Sequence, residues 1–443
     1  MKVILVDATT YEKDIDPKLR DLKRRYFKIK NVVRYTRLGE HIPPKQKTYA
    51  MGLLRIATIL YYNGYDVTYV EFKKLDEYLQ ALGIPPDVIA FSAVCPTVPM
   101  CSEAVDKYRV LYPTTKFVLG GAQLNVAPIT TQRLFGNFDV YAVGFDVAAA
   151  EQIVGEKLLP IERPYAEFAL LPNKISDYVI NTFSTLGCPF TCNYCQDRLI
   201  PYCPVYDDGN ISFFQKHLPP RTCVHFFDSV LGGGNIKRIE TICEKISETG
   251  HDFILSCDFR ADLISEKTIK NMVKAGFREI RLGAESADDE LLLHNKRALK
   301  TSRLMKAIQM VRDNSDMYIS LYSAIGFPGS TLKNINATIS LFTTLLEERM
   351  IDEVKNCVFV PYPFDEQRFS EKDLIIHDHD WRNYDRQSVP VYDLAELKGQ
   401  DIWNMFLSMT DTINNSWIKG FSIDESILEE QPLYGEYIVD KYI

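Results

Sequence analysis

The sequence predicts an α/β protein with two successive parallel sheets. Short apolar stretches alternate with helix-like segments, which is typical of parallel strands covered by helices. The alternation runs from residue 1 to about 155 and restarts near 178, after a proline-containing stretch without periodicity. We therefore expect a doubly wound, Rossmann-like domain at 1–155, a linker at 156–177, a partial (β/α)6 barrel at 178–365 and an extension at 366–443.

The first domain is predicted from alternating strand and helix patterns. "KVILVDA", "YDVTYVEF", "DVIAFSAV", "KFVLGG" and "FDVYAVG" indicate strands, and "YAMGLLRIATILYYNG" and "VPMCSEAVDKYRVLYP" indicate helices. Ligands of doubly wound sheets bind at the carboxyl ends of the strands. Those ends are 92–99 and 120–128, where small residues let backbone approach a ligand. Thr97 is expected to cap the following helix.

The second domain is predicted from six further strand candidates. They are "VINTFSTLGC", "VHFFDSVL", "FILSCDFRAD", "EIRLGAES", "MYISLYSAIG" and "NCVFVPYP", with helical segments such as "NIKRIETICEKISETG" and "EKTIKNMVKAG" between them. Six βα units in series predict a partial barrel whose site lies at the carboxyl-terminal edge. The first cysteine of "CPFTCNYC" follows the first strand, which places that motif at this edge.

Composition predicts a cytoplasmic protein. The opening "MKVILVDATT" has too short an apolar run for a signal peptide, and no run of about 18 apolar residues occurs. Ten cysteines without a secretion signal indicate a reducing compartment. The net charge of −8 predicts no nucleic-acid partner. The basic run at 18–30 is interpreted as a solvated helical face, with contact to an acidic substrate or leader peptide as the alternative.

Three cysteines, Cys188, Cys192 and Cys195, are spaced at intervals of four and three. Structural zinc normally takes four protein ligands, and no fourth Cys or His lies at knuckle spacing. Cys203 is eight residues further on, and spacing alone leaves it open as a ligand. A cubane iron–sulfur cluster held by three thiolates would keep one iron free for a small ligand.

The remaining cysteines and the C-terminal segment have simpler interpretations. Free thiols in apolar strands or helices pack as small hydrophobes, which we expect of Cys95, Cys101, Cys223, Cys243, Cys257 and Cys357. His377 and His379 are interpreted as exposed loop residues. Trp403 and Trp417 lie in an amphipathic pattern and are expected in the core. No cysteine follows Cys357, which disfavours an auxiliary cluster.

"CPFTCNYC" resembles the C-x3-C-x-aromatic-C signature of radical S-adenosylmethionine (SAM) enzymes. "RLGAES" and "AIGFPG" resemble that family's fourth and fifth strands. "DVIAFSAVCPTVP" and "KFVLGGAQLNVAP" resemble the cobalamin-binding domain that one branch of the family carries, and "HDWRNYDRQSVPVYDLAEL" resembles the start of its helical C-terminal extension. The resemblance implies a [4Fe-4S] cluster, S-adenosyl-L-methionine and cobalamin as cofactors.

The resemblance also implies site residues. Cys188, Cys192 and Cys195 would ligate iron. Residues implied for SAM are Tyr194 beside the adenine, Glu285 and, less directly, Asp228 and Arg260 at the methionyl group, and Gly326 at the adenine. A buried Glu285 should also have a cationic partner, which the SAM amine would supply. Residues implied for cobalamin are Ser92, Thr97, Val98, Gly120, Gly121 and Gln123.

Two departures concern the cobalamin pocket. The D-x-H-x-x-G motif is missing, and His41, the only histidine of the first 155 residues, lacks its neighbours. We therefore expect cobalamin to bind with its dimethylbenzimidazole displaced and no protein histidine on cobalt. "VGFDVAAAE" stands where relatives carry a glycine- and glutamate-rich run, and Glu151 is a candidate replacement for one of those carboxylates.

The predicted function is that of a cobalamin-dependent radical SAM methyltransferase. It would methylate an unactivated carbon of a small metabolite or peptide bound between the domains, through a 5′-deoxyadenosyl radical and methylcobalamin, with electrons from an external flavodoxin- or ferredoxin-type donor. A cobalamin-binding radical SAM enzyme of a non-methylating rearrangement or ring formation is the alternative. A zinc-stabilised binding protein is the lesser one.

Overall fold

The computed structural model describes most of the chain and contains two parallel sheets. It covers residues 1–9, 15–39, 47–161, 167–205, 209–296, 299–365, 369 and 374–430. The predicted α/β class with parallel sheets is confirmed. Within these ranges, no helix combines the length and the apolar character needed to cross a bilayer.

The first sheet has five parallel strands in the order β2-β1-β3-β4-β5. They are β1 Lys2–Ala8, β2 Asp66–Glu71, β3 Val88–Ala93, β4 Lys116–Gly120 and β5 Val140–Tyr141. The helices of this part are α1 Pro17–Leu38, α2 Met51–Tyr62, α3 Leu75–Leu82, α4 Val98–Leu111, α5 Ala122–Val126, α6 Pro128–Leu134 and α7 Asp146–Val154. The strand order reverses between β1 and β3, and such a switch point opens a ligand crevice outside the carboxyl ends of the strands.

The second sheet has six parallel strands that follow one another in chain order. They are β6 Ile180–Thr182, β9 Cys223–Phe226, β10 Ile254–Phe259, β11 Phe277–Glu285, β12 Tyr318–Ile325 and β13 Glu353–Val358. Two short antiparallel pairs join β7 Thr185–Leu186 to β8 Cys203–Pro204 and β14 Ile375–Ile376 to β15 Tyr392–Asp393. The remaining helices are α8 Gly209–His217, α9 Ile236–Glu248, α10 Glu266–Lys274, α11 Asp289–Asn295, α12 Thr301–Asn314, α13 Leu332–Glu347, α14 Gly399–Phe421 and α15 Glu425–Glu430.

The basic helix α1 packs against the second sheet, so the interpretation of residues 18–30 as a solvated face holds only in part: Lys18 is exposed, but Lys23 is buried. Asp16 caps its first turn, and its apolar residues, including Leu19 and Ile29, are buried. Its cations reach buried carboxylates: Lys30 Nζ is 2.6 Å from Glu353 Oε1. Arg34 Nη1 is 2.5 Å from Glu279 Oε2. The helix therefore closes one end of the second sheet with charged pairs.

The C-terminal part packs as predicted where the structure describes it. Trp403 and Trp417 of α14 are buried, and the Trp417 ring lies 5.2 Å from the Tyr26 ring of α1. His377 and His379 are exposed, as expected. Helix α14 contacts both α1 and α13, so it ties the N-terminal helix to the last βα unit.

Candidate functional site

A cavity of about 1580 Å³ lies between the carboxyl ends of the two sheets. Its first wall comes from the segments after β3 and β4. Its second wall comes from the segments that flank the cysteine loop and from the interior of the second sheet. The predicted position of a ligand between the two sheets therefore coincides with an open volume large enough for a cofactor and a small substrate.

The first wall is made of backbone and small side chains. Ser92, Gly120, Gly121 and Gln123 line the cavity. A Cβ on Gly121, whose φ is +105°, would lie 2.4 Å from the Ala93 carbonyl oxygen, so only glycine fits there. Gln123 Nε2 donates to the Pro363 carbonyl at 3.0 Å and links this wall to the segment after β13.

Thr97 and Val98 are buried behind this wall and are absent from the cavity lining. The predicted N-cap position of Thr97 is confirmed, but its side chain does not cap α4. Thr97 Oγ1 instead accepts a hydrogen bond from the Val94 amide at 3.1 Å and donates one to the Val94 carbonyl at 3.0 Å. The hydroxyl therefore shapes the turn between β3 and α4, and a cobalamin contact of these two residues stays a prediction.

The rim formed by α7 differs from the expectation. Glu151 does not line the cavity; it bonds Lys157 Nζ at 2.8 Å and the Leu158 amide at 3.2 Å, and these bonds lower the pKa of its carboxyl. Asp146 occupies the rim instead, paired with Arg55 Nε at 2.7 Å. Sequence reasoning missed this pair because its two members lie on different helices.

The loop with Cys188, Cys192 and Cys195 leaves β7 and is fixed by backbone bonds. The Cys188 amide donates to the Asp197 carbonyl at 3.1 Å, and the Asn193 amide donates to the Asn295 carbonyl at 2.8 Å. A Cβ on Gly187 would lie 2.3 Å from the Ile200 carbonyl oxygen, at a φ of +66°. The loop is thus held between the residues after it and the end of α11.

The three thiols lie within electrostatic reach of one another. Burial raises the pKa of Cys195 to about 12 and also raises that of Cys188, and in both cases neighbouring thiols of the set add to the shift. In the described ranges, no three His, Cys, Asp or Glu side chains are close enough to hold one metal ion. Cys203 is exposed on β8.

Arg260 lies beside the cysteine loop. Its Nη1 is 3.9 Å from Cys192 Sγ, and its guanidinium carbon lies 4.0 Å from the centre of the Phe190 ring. Asp262 accepts from Nε at 2.9 Å and from Nη2 at 2.8 Å. The positive charge of Arg260 opposes the effect of burial that raises the pKa of the Cys188 thiol. Two of the guanidinium nitrogens of Arg260 already donate to Asp262. A contact of Arg260 with the SAM carboxylate stays a prediction.

Glu285 has its cationic partner within the chain, which corrects the expectation that SAM alone would supply one. Lys296 Nζ is 3.0 Å from Glu285 Oε1 and 2.6 Å from the Gly283 carbonyl oxygen. Tyr194 donates its hydroxyl to the same Oε1 at 3.1 Å. The Glu285 backbone has a φ of +61°, at a bulge where β11 pairs β12. Lys296 was missed because it follows α11 and only the fold brings it near.

Asp228 lines the cavity and holds the strand that leads into the cysteine loop. It accepts from Ser184 Oγ at 2.9 Å and Thr185 Oγ1 at 2.6 Å, and from both backbone amides. Burial raises the pKa of its carboxyl to about 6, although the hydroxyl and amide donors oppose the shift. A contact of Asp228 with SAM stays a prediction.

Gly326 lies against the C-terminal part of the chain. A Cβ on Gly326, whose φ is +85°, would lie 2.6 Å from the Tyr392 hydroxyl, so packing against the C-terminal part explains this glycine. The contact of Gly326 with the adenine stays a prediction.

Of the six cysteines expected to pack as small hydrophobes, Cys95, Cys101, Cys243 and Cys257 are buried. Cys223 and Cys357 are only half-buried and line the cavity, which corrects their interpretation as core residues.

The interior of the second sheet is charged, which sequence reasoning missed. The cavity-lining polar side chains of its strands include His225, Ser256, Asp258, Glu279, Arg281, Tyr322 and Lys355. His225 Nδ1 lies 3.0 Å from Ser256 Oγ, and Tyr322 donates to Asp258 at 3.1 Å. Polar residues at alternate positions of apolar strands, as in "EIRLGAE", are the signal that could have identified them.

Comparison with known proteins identifies the fold. No protein-family model matches the chain. A tRNA uridine(34) acetyltransferase of Methanocaldococcus infernus is 35% identical over 92 residues, which is 20% of this chain and 17% of the relative. The corresponding protein of Methanocaldococcus jannaschii is 33% identical over 92 residues, with the same coverage. The chain thus spans under a fifth of these curated relatives.

Two solved structures match over most of the chain. The radical SAM methyltransferase TsrM of Kitasatospora setae, with tryptophan and a SAM analogue bound, superposes with a TM-score of 0.54 at 14% identity, over 80% of this chain and 72% of TsrM. The cobalamin-dependent radical SAM enzyme OxsB, with aqua-cobalamin and SAM bound, gives 0.53 at 12% identity, over 94% of this chain and 56% of OxsB. The predicted resemblance is confirmed at the level of the fold.

Proposed function

We propose that this chain, which has the fold of cobalamin-dependent radical SAM enzymes, methylates an unactivated carbon of a small metabolite or peptide. The observation that carries the proposal is the single cavity shared by the small-residue wall and the cysteine-loop side. TsrM has been solved with cobalamin and a [4Fe-4S] cluster bound, and OxsB with cobalamin and SAM. Both cofactors would here face one substrate volume.

The donor sets fit these groups. Cys188, Cys192 and Cys195 would hold the cluster, and a flat macrocycle would approach the first wall where Gly120 and Gly121 line the cavity. When bound, the cluster supplies the electron that cleaves SAM and cobalamin carries the methyl group.

The chain's own residues orient these groups. Arg260, fixed by Asp262, keeps positive charge at the cysteine loop. Lys296 and Tyr194 hold the Glu285 carboxylate in one orientation, so that it can accept from the SAM ammonium without rearrangement. Electrons would come from an external donor of the flavodoxin or ferredoxin type, which reduces the cluster.

Anaerobic reconstitution with iron, sulfide, cobalamin and SAM tests the proposal. We expect a brown protein that forms both 5′-deoxyadenosine and S-adenosylhomocysteine, because a methyl transfer consumes one SAM as methyl donor and cleaves a second. 5′-Deoxyadenosine without S-adenosylhomocysteine would instead support the non-methylating rearrangement or ring formation. A colourless protein that releases zinc on denaturation would support the zinc-stabilised binding protein and overturn the proposal.

A further inference from the structure

The interior of the second sheet contains two layers of charge. The deeper layer consists of Glu279 and Glu353, which face the cations of α1. The upper layer, nearer the carboxyl ends of the strands, contains Asp258, Arg281 and Lys355; these three and Glu279 line the cavity. Residues of α1 close the deep end, and the interior opens into the cavity on the other side.

The deep carboxylates are already neutralised by close partners. Glu279 is 2.5 Å from Arg34 and 2.7 Å from Arg281. Glu353 is 2.6 Å from Lys30. These contacts hold the pKa of both carboxyls below the usual range in spite of their burial. Because these ion pairs already neutralise Glu279 and Glu353, the two carboxylates attract a further cation only weakly.

Lys355 is a cation in excess. Its Nζ is 4.0 Å from Glu279 and 3.9 Å from Glu353, at the limit of an ion pair, whereas closer cations occupy both carboxylates. Lys23 of α1 also lines the cavity, lies over aromatic rings, and has no carboxylate within ion-pair distance in the described part of the chain. Asp258 also faces Arg281 and Lys355. With it, the interior holds three carboxylates, Asp258, Glu279 and Glu353, against five cations, Lys23, Lys30, Arg34, Arg281 and Lys355.

The two lysines of this interior, Lys355 and Lys23, have lowered pKa values. Burial, reinforced by Arg281 and Lys30, lowers the pKa of Lys355 to about 7. Burial also lowers the pKa of Lys23 to about 8. A buried cation without a close counter-charge is unfavourable, and a bound anion offsets that cost.

We propose that Lys355 and the adjacent Arg281 bind an anionic group of the substrate, a carboxylate or a phosphate, inside the second sheet. The proposal rests on the function proposed above and names the chemical class of its substrate. The anion would lie below the cysteine loop, so the rest of the substrate extends toward the cavity wall where cobalamin is expected. The anchored end fixes which carbon faces the two cofactors.

Protection of Lys355 from reductive methylation tests this directly. The reconstituted full-length protein is treated at pH 7 with inorganic phosphate, acetate or potassium chloride of equal ionic strength, and modification is mapped by peptide mass spectrometry. A bound anion that raises the Lys355 pKa by one unit lowers the reactive, unprotonated fraction about fivefold. The exposed Lys267 of α10 is the internal control and should react equally in all samples.

The two anions distinguish the sources of charge. Protection by phosphate alone indicates a phosphorylated substrate, and protection by acetate alone indicates a carboxylate. Equal reactivity of Lys355 in phosphate, acetate and chloride would overturn the proposal. The readout needs no turnover, so a protein that protects Lys355 but forms no 5′-deoxyadenosine would refute the proposed function alone.

Variants give a second, independent measurement. Calorimetric titration with the protecting anion should show about tenfold weaker binding in Lys355→Gln, which is the loss of one charged contact. Lys355→Arg should restore binding, and Lys267→Gln should leave it unchanged. Unaltered affinity in a folded Lys355→Gln protein contradicts the assignment; if that variant unfolds, the protection of wild-type Lys355 still decides.

Discussion

The two walls of the cavity bind by different means. The first wall, at the ends of β3 and β4, is neutral and is shaped by backbone and glycine. The opposite side, inside the second sheet, is lined by charged side chains held in a network of ion pairs. A wall of backbone recognises a large ligand by its shape, whereas a charged interior recognises one group of a small ligand. This difference favours a cofactor at the first wall and the substrate inside the second sheet.

The largest expected effect separates the two sides completely. Changing Cys188, Cys192 and Cys195 together to Ala should remove iron, visible absorption and 5′-deoxyadenosine formation, because the cluster loses every thiolate. Cobalamin should still bind, since its wall belongs to the other sheet. Cys203→Ala is the matched control and should keep iron, since this exposed thiol lies outside the set. A full cluster in the triple variant, or loss of cobalamin from it while folded, contradicts this division.

A single methyl group tests the first wall. Gly121→Ala places a Cβ 2.4 Å from the Ala93 carbonyl at a φ of +105°, so the turn after β4 must shift. We expect a loss of about 2–3 kcal/mol in unfolding free energy and much weaker cobalamin binding, measured by absorbance. Gly64→Ala has a φ of +85° but open space around its Cβ. This control should cost only about 1 kcal/mol and leave cobalamin binding intact.

The charged interior is tested through α1. Arg34→Met removes the cation 2.5 Å from the buried Glu279, and breaking such a pair costs about 3 kcal/mol, reduced here by the remaining Arg281. Urea unfolding at pH 7 measures the loss. Lys18→Met, at an exposed position of the same helix, should change stability by less than about 0.5 kcal/mol. Equal stability of the two variants would mean that α1 is not held by these pairs.

The pH dependence of the same pairs has a definite sign. The Glu353 carboxyl has its pKa lowered from 4.5 to about 2, because Lys30 and Lys355 oppose the effect of burial. A depressed carboxyl pKa stabilises the fold above pH 4.5, and this stability is lost as the pH falls from 4.5 toward 2. Lys30→Met should lose less stability than the wild type over that interval. Parallel pH profiles of the two proteins would contradict this assignment.

The parts of the site that sequence predicted are those encoded locally. The cysteine spacing and the glycines after β4 lie within short segments, so their chemistry is visible without a fold. The charged interior is not local: Arg34 and Glu279 are 245 positions apart, and Lys296 meets Glu285 only across α11. In α1, sequence shows a basic helix but not the carboxylates that it faces, which is why the solvated interpretation missed its buried side.

The smallest expected effect is spectroscopic and concerns the face of cobalamin that rests on the first wall. In the described residues, the only histidine that lines the cavity is His225, which belongs to the second sheet. Both of its ring nitrogens have partners, Ser256 at 3.0 Å and Arg281 at 3.2 Å. His41 lies outside the described residues. A ligating imidazole normally needs a second partner that fixes its tautomer, and the sequence around His41 offers none.

We therefore expect bound cob(II)alamin to have its dimethylbenzimidazole displaced and no protein nitrogen on cobalt. Its electron paramagnetic resonance spectrum should show no nitrogen superhyperfine splitting from an axial ligand, and His41→Ala should leave the spectrum unchanged. A lower face without a strong nitrogen donor makes the reduced cobalt more nucleophilic, which suits repeated methylation by SAM. Splitting that disappears in His41→Ala would assign that histidine to cobalt, and the first wall would then bind by a side chain as well as by shape.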